Sequence, residues 1–351
     1  MRHWLEAGSG ELAAFMAETE EPAWRAEQFR CWLHQKRTGD FAAMKNLPET
    51  LRLRLAEAGR LRVLDERDSR SSADGLTRKL LFAAPGEALV ECVLIIEKRR
   101  SRRTACLSCM AGCPLGCRFC ATGSGGFVRN LSGGEMVEQA YRLDALAHGT
   151  GKSGISHVVF MGMGEPLLNL DAVLAAIDRL ADPDGLGLSG RRITLSTAGV
   201  PEGVARLAES GRNFRLALSL HAPDQKLREW LMPAACRWPL AEVMAAVDRF
   251  AAAASRDVTY EYCLIDGVNS SPAQAGKLAR LLSGRRGKVN IIPLNPVPGN
   301  EFRPPPPAST HRFQATLKAA GIPCTVRMEK GSEIGAACGQ LRAGAEAPVR
   351  E

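Results

Sequence analysis

The spacing of apolar residues changes along this chain. Residues 11–17 are strong helix formers, and residues 22–33 place Phe29, Trp32 and Leu33 on one face behind Pro22, which suits a helix start. A third helix is predicted to begin at Leu47-Pro48-Glu49. Residues 77–82 and 88–96 then alternate and carry β-formers, which predicts a hairpin or small sheet extension. From residue 104 onward, apolar runs at 104–109, 157–161, 192–196, 215–220, 258–265 and 289–294 read as strands. Stretches at 134–148, 170–180, 201–210, 240–254 and 272–282 read as helices between them. In the first of these, Met136, Val137, Ala140, Leu143 and Ala147 recur at helical period. Six strands alternating with helices imply an α/β fold with a parallel sheet and right-handed crossovers. A seventh run at 324–328 follows one more helix near 309–319.

These patterns divide the chain into a helical N-terminal domain (1–75), a β extension with a basic loop (76–103), an α/β core (104–341) and a tail (342–351) expected to be mobile. The prolines at 304–307 read as a stiff loop inside the core. A chain of 351 residues supports a sizeable core, and 45% hydrophobic content is ordinary for a globular protein. No apolar run approaches the ~18 residues that span a bilayer. The start, Met1-Arg2-His3-Trp4-Leu5-Glu6, lacks a secretory pattern, so a cytoplasmic protein without a membrane partner is expected. Eleven cysteines in a reducing compartment point to metal binding or catalysis and away from a disulfide framework.

The net charge of +8 favours a polyanionic partner. Lys98-Arg99-Arg100-Ser101-Arg102-Arg103 is the densest basic run, expected as a solvated loop or a phosphate contact. Arg25, Arg30, Lys36 and Arg37 belong to the N-terminal helical region, on solvated faces or against RNA.

The chemistry concentrates in Cys113-Pro114-Leu115-Gly116-Cys117-Arg118-Phe119-Cys120. Thiolates are soft ligands for zinc or iron–sulfur clusters. Three of them would complete a zinc site only with a fourth ligand from elsewhere. On a cubane they would leave one iron free for a non-protein ligand. Ordinary buried thiols are the third reading. The other polar and glycine-rich motifs fall at the predicted strand ends: Gly162-Met163-Gly164-Glu165-Pro166, Ser196-Thr197-Ala198-Gly199, Ser219-Leu220-His221-Ala222 and Pro293-Leu294-Asn295-Pro296. In parallel α/β barrels that rim carries the active site.

The C-x3-C-x2-C spacing, with Phe119 before the last cysteine, resembles the cluster loop of radical S-adenosylmethionine enzymes. Nearly the whole chain is similar to the RlmN and Cfr family of RNA adenine methyltransferases. The resemblance rests on Cys106, Gly112-Cys113, Phe119-Cys120-Ala121-Thr122-Gly123, Gly126-Phe127, Arg129-Asn130-Leu131, Gly162 to Asn169, Arg192 to Thr197, Ser219 to Pro223 and Ala336-Ala337-Cys338-Gly339-Gln340-Leu341. Departures from it are Cys109, Met110 and Leu294, where relatives carry Ser, Gln and Trp, and a less acidic run before Cys338.

The resemblance implies a partial six-stranded parallel (β/α) barrel. It implies a [4Fe-4S] cluster on Cys113, Cys117 and Cys120. It assigns S-adenosylmethionine to Gly164, Glu165, Ser196, Ser219, Leu220, His221 and Asn295. Cys338 would carry the methyl group, Cys106 would resolve it through a disulfide, and Glu91 would accept the proton. The expected reaction is methylation of carbon 2 of an adenine in 23S ribosomal RNA, at the peptidyl transferase centre, and of an adenine next to the anticodon in some transfer RNAs. A reducing electron donor such as flavodoxin is implied, and DNA is not expected. The alternatives are a Cfr-like methylation of carbon 8, or a zinc-stapled RNA-binding module without catalysis.

Overall fold

The computed structural model describes residues 2–149, 154–327 and 329–342. Two short strands, β1 (Arg2–His3) and β2 (Gly59–Arg60), pair in parallel and bracket α1 (Ser9–Glu18), α2 (Trp24–His34) and α3 (Glu49–Ala58). Trp4 is the fully buried hub of this unit. Its Nε1–H donates to the carbonyl of Leu55 at 3.0 Å, and its ring meets Phe15 and Phe29 edge-on at 5.0 and 5.3 Å.

The chain continues through β3 (Asp65–Ser71), β4 (Thr77–Ala84), β5 (Ala88–Glu97), β6 (Arg102–Cys106), β7 (Met110–Gly112), α4 (Ala121–Ser124), β8 (Phe127–Asn130) and α5 (Gly133–His148). Then follow β9 (His157–Phe160), α6 (Leu170–Ala181), β10 (Ile193–Thr197), α7 (Pro201–Glu209), β11 (Arg215–Ser219), α8 (Gln225–Leu231), α9 (Leu240–Ala254), β12 (Val258–Leu264), α10 (Pro272–Leu282), β13 (Gly287–Pro293), α11 (Pro307–Ala319) and β14 (Cys324–Val326). One sheet holds ten of these strands in the order β14-β13-β12-β11-β10-β9-β6-β5-β4-β3. Pairing is parallel from β14 to β6 and antiparallel from β6 to β3.

The predicted strands and helices of the core are present, and the seventh run joins the sheet beside β13. Met328, at the end of that run, and residues 343–351 of the tail lie outside the described residues. One edge strand and several short elements escaped the pattern. β3 reads Asp-Glu-Arg-Asp-Ser-Arg-Ser and is exposed along nearly its whole length, so no apolar alternation marks it. The β7–β8 hairpin and α8 are too short for a period to show. Local chemistry supports the longer helices. In α5 the Ser132 hydroxyl accepts from the Glu135 amide at 3.2 Å while the Glu135 carboxylate accepts from the Ser132 amide at 2.8 Å, a reciprocal cap. Proline opens α7, α10 and α11, where its missing N–H costs nothing.

Two expectations about charge change. Arg30 and Arg37 staple the N-terminal helices to the core: Arg30 pairs with Asp182 at 3.3 Å and with Asp184, and Arg37 pairs with Asp144. The basic run does not form one loop. Lys98, Arg99 and Arg100 make an exposed turn, whereas Arg102 and Arg103 enter β6. Arg103 is buried, and its Nε–H donates to the carbonyl of Gly154 at 2.7 Å. The turn precedes β6 and the cysteine loop follows it. At ~3.3 Å per residue, that strand separates the turn from the cysteine loop by roughly 15 Å.

Candidate active site

The C-terminal ends of the parallel strands surround a cavity of about 980 Å³, part of it continuous with solvent. Ten of the thirteen predicted site residues line it: Cys113, Cys117, Cys120, Gly164, Glu165, Ser196, Ser219, His221, Asn295 and Cys338. Leu220 is fully buried at the end of β11, and its amide donates to the carbonyl of Glu261 at 3.0 Å. Cys106 and Glu91 are buried on β6 and β5 and are absent from the cavity lining.

The cysteine loop is held by close backbone approaches. The Cys113 amide donates to the carbonyl of Gly126 at 2.8 Å. Gly112 has φ +73°, and a Cβ there would lie 2.0 Å from that same carbonyl oxygen. A Cβ on Gly123 would lie 2.7 Å from the Cys117 amide nitrogen. Glycine is therefore required at both positions. Burial pushes the Cys113 thiol up to about 12, and pushes Cys117 and Cys120 above the ordinary thiol range. Arg228, almost wholly buried, stands as a cation near Cys117 and Glu165, and its Nη2 donates to the carbonyl of Ala198. Three soft donors from one tight loop, all lining one cavity, are a donor set that suits an iron–sulfur cluster.

The remaining rim residues are well anchored. Gly164 has φ +104°, and a Cβ there would lie 2.6 Å from Met110 Cβ. Glu165 accepts from Thr197 Oγ1 at 2.6 Å, from the Ala198 amide at 2.8 Å and from the Leu167 amide at 3.1 Å. Those bonds lower its pKa, but burial outweighs them and the net direction is upward. The hydroxyls of Ser196 and Ser219 lie 3.3 Å apart. His221 Nδ1 accepts from the Cys263 amide at 2.9 Å, which leaves the ring proton on Nε2. Burial, reinforced by Arg228, lowers its pKa to about 3, so the ring stays neutral.

Cys338 lies on a segment pinned from three sides. Asn295 Nδ2 donates to the carbonyl of Cys338 at 2.9 Å, and Gln340 Nε2 donates to the carbonyl of Pro296 at 2.7 Å. The Ala121 amide donates to the carbonyl of Gly339 at 2.7 Å, and Thr122 Oγ1 to that of Leu341 at 2.6 Å. The Arg342 amide donates to Glu91 Oε2 at 2.7 Å. Ala336 and Leu341 pack with Val93, Cys106, Val159 and Met163 in one apolar cluster. The segment thus joins the loop after β13 to the face of β5 and β6, with four strands of the sheet between them. That closure is the partial barrel. Burial pushes the Cys106 thiol up to about 12, and the nearby Cys338 adds to the shift.

Sequence reasoning missed Arg327, Glu261 and Cys263, which also line the cavity. Arg327 follows β14, and the guanidinium is held in its charged form first by attraction to Cys338, then by Glu261 and Cys106. Its place at a strand's C-terminal end was the available signal, and it was not applied to the seventh strand.

Comparison with known proteins agrees with this geometry. The family model for the radical SAM superfamily matches residues 107–277, and that for the ribosomal RNA large subunit methyltransferase N-terminal domain matches residues 5–60. A probable dual-specificity RNA methyltransferase RlmN from Moorella thermoacetica is 46% identical, covering 95% of this chain and 94% of the relative. The dual-specificity RNA methyltransferase RlmN of Solidesulfovibrio magneticus is 45% identical, covering 98% and 97%. The crystal structure of a radical SAM methyltransferase from Sphaerobacter thermophilus matches with a TM-score of 0.94 at 41% identity, over 97% of this chain and 99% of that one. A cysteine loop at the mouth of a partial barrel, an N-terminal helical unit and near full-length similarity together mean that this chain belongs to the RlmN family of radical SAM RNA methyltransferases.

Proposed function

We propose that the chain methylates carbon 2 of an adenine in 23S ribosomal RNA, and of an adenine beside the anticodon in some transfer RNAs, with Cys338 as methyl carrier and Cys106 as resolving thiol. The observation that carries this reading is that Cys338 shares a cavity with the three loop cysteines while its own segment packs against Cys106. The ring carbon is electrophilic, so a methyl cation meets no nucleophile there and a carrier thiol is needed. Cys113, Cys117 and Cys120 would hold the cluster, with S-adenosylmethionine beside Gly164, Ser196, Ser219 and His221. Together these groups supply a methyl cation for a thiolate and a radical able to take hydrogen from the methyl once it is on sulfur.

Cys338, as thiolate, displaces the methyl from the sulfonium. Arg327 is a cation that lines the same cavity. The adduct formed when the methylene carbon joins the adenine gives up its unpaired electron to a one-electron acceptor and its ring proton to Glu91. The Cys106 thiolate then attacks the Cys338 sulfur; the carbon–sulfur bond breaks, its electron pair goes to the product carbon, and that carbon takes a proton to become the methyl group. A Cys106–Cys338 disulfide results, and two electrons from an external reductant reset it. A flavodoxin-type donor fits that need. Residues 1–75 and the exposed Lys98–Arg100 turn would hold RNA, in keeping with the match of residues 5–60 to the methyltransferase N-terminal domain.

Mass spectrometry of RNA nucleosides from a strain lacking the gene tests this reading. Loss of 2-methyladenosine from 23S RNA supports it, and loss of 8-methyladenosine would favour the carbon 8 alternative. Anaerobic reconstitution should give a brown protein. A colourless protein with one tightly held zinc would instead favour the non-catalytic module.

A further inference from the structure

Lys79 has no role in the reading above, yet it sits where the carrier segment meets the β extension. On β4 it is in register with Val93 of β5, which is in register with Cys106 of β6, which is in register with Val159 of β9. Directly opposed residues of a sheet share a face, so Lys79 and Cys106 lie in one row on one side. Glu91 precedes Val93 by two residues and therefore shares that face.

The Lys79 Nζ lies 2.8 Å from Glu91 Oε1 and donates to the carbonyl of Gly335 at 3.2 Å. Only 11% of the lysine side chain and 5% of the glutamate side chain are exposed, so the pair is screened little by water. Gly335 comes three residues before Cys338. The neighbouring backbone is seated on the same face, over the next row, where Thr77 is in register with Ile95: a Cβ on Gly331 would lie 2.6 Å from Thr77 Cγ2. An ammonium carries three donors on one compact centre, so it can serve a carboxylate and a carbonyl that approach from different directions.

We propose that Lys79 is a positioning residue that ties the segment bearing Cys338, through the Gly335 carbonyl and the Glu91 carboxylate, to the strand row that carries Cys106. This rests on the two-cysteine reading for its catalytic consequence, but the tether itself is independent of that chemistry. Without the ammonium, the Glu91 carboxylate loses its ion-pair partner and the Gly335 carbonyl loses its donor. The segment then leaves the row, and Cys338 spends less time within reach of Cys106.

The test is Lys79→Met in the full-length, cluster-reconstituted enzyme, with Lys79→Arg as the conservative control. Hydrogen exchange of residues 331–342 should rise about tenfold or more in Lys79→Met, with β4 and β5 unchanged. kcat for RNA methylation should fall about tenfold with the RNA KM within about twofold, and Lys79→Arg should restore most of both. Should Lys79→Met not fold, Lys79→Gln is read in the same way. Unchanged exchange over 331–342, or a parent segment already exchanging at the unprotected rate, overturns the tether. A parent with a protected segment and no RNA methylation supports the tether and sinks the reaction reading, so the two failures are distinct.

Discussion

Asn295 donates its side-chain amide to the backbone carbonyl of Cys338 at 2.9 Å. The family resemblance assigns Asn295 to S-adenosylmethionine, while its amide is also engaged in holding the carrier cysteine. Asn295→Leu should lower methyl transfer by about tenfold, since a lost hydrogen bond of about 1 kcal/mol also frees the segment. S-adenosylmethionine affinity from equilibrium dialysis separates the two roles: an unchanged affinity with slower transfer indicates the holding role.

The two thiols have opposite expected phenotypes. Cys106→Ala should trap RNA covalently on Cys338, seen as a cross-linked band on a denaturing gel. Cys338→Ala should abolish methylation and leave iron content intact. Methylated RNA from Cys338→Ala would remove that residue from the mechanism.

Gly112→Ala should damage the cysteine loop. The added methyl meets the Gly126 carbonyl at 2.0 Å in a backbone at φ +73°. A cost of about 2–4 kcal/mol is expected from clash and strain together. Thermal unfolding and iron per chain measure it, and both should fall.

Stability should decline on the acid side because of His34. It lies between α2 and α5, with Nδ1 2.9 Å from the Tyr141 hydroxyl, and burial lowers its pKa to about 3. The unfolded chain takes up a proton near the ordinary value of about 6.5 while the folded chain does not. The contribution is therefore complete above about pH 6.5 and is lost as pH falls toward 3. Urea midpoints measured from neutral pH downward should fall less steeply for His34→Gln than for the parent.

The strand and helix pattern was legible because each core strand is a short apolar run and each long helix has one apolar face. β3 was not, because an exposed edge strand of Asp, Glu, Arg and Ser is held mainly through its ladder to β4 and carries no apolar alternation. The basic run was misread for a related reason. Charge density is visible in a sequence, but whether a cation ends in water or, like Arg103, on a buried carbonyl depends on what packs over it.

By itself the sequence determined the chemistry available: three clustered thiols, two distant ones and a rim of strand-end motifs, because spacing along one loop or strand is a local property. The tertiary structure decided which of these meet. Cys338 reaches the row of Cys106 because the sheet curls until the loop after β13 and the face of β5 and β6 hold one segment between them. Lys79 and Arg327 acquire partners by the same closure. Contacts of that kind depend on strand register and sheet twist, which arise from packing between residues far apart in the chain.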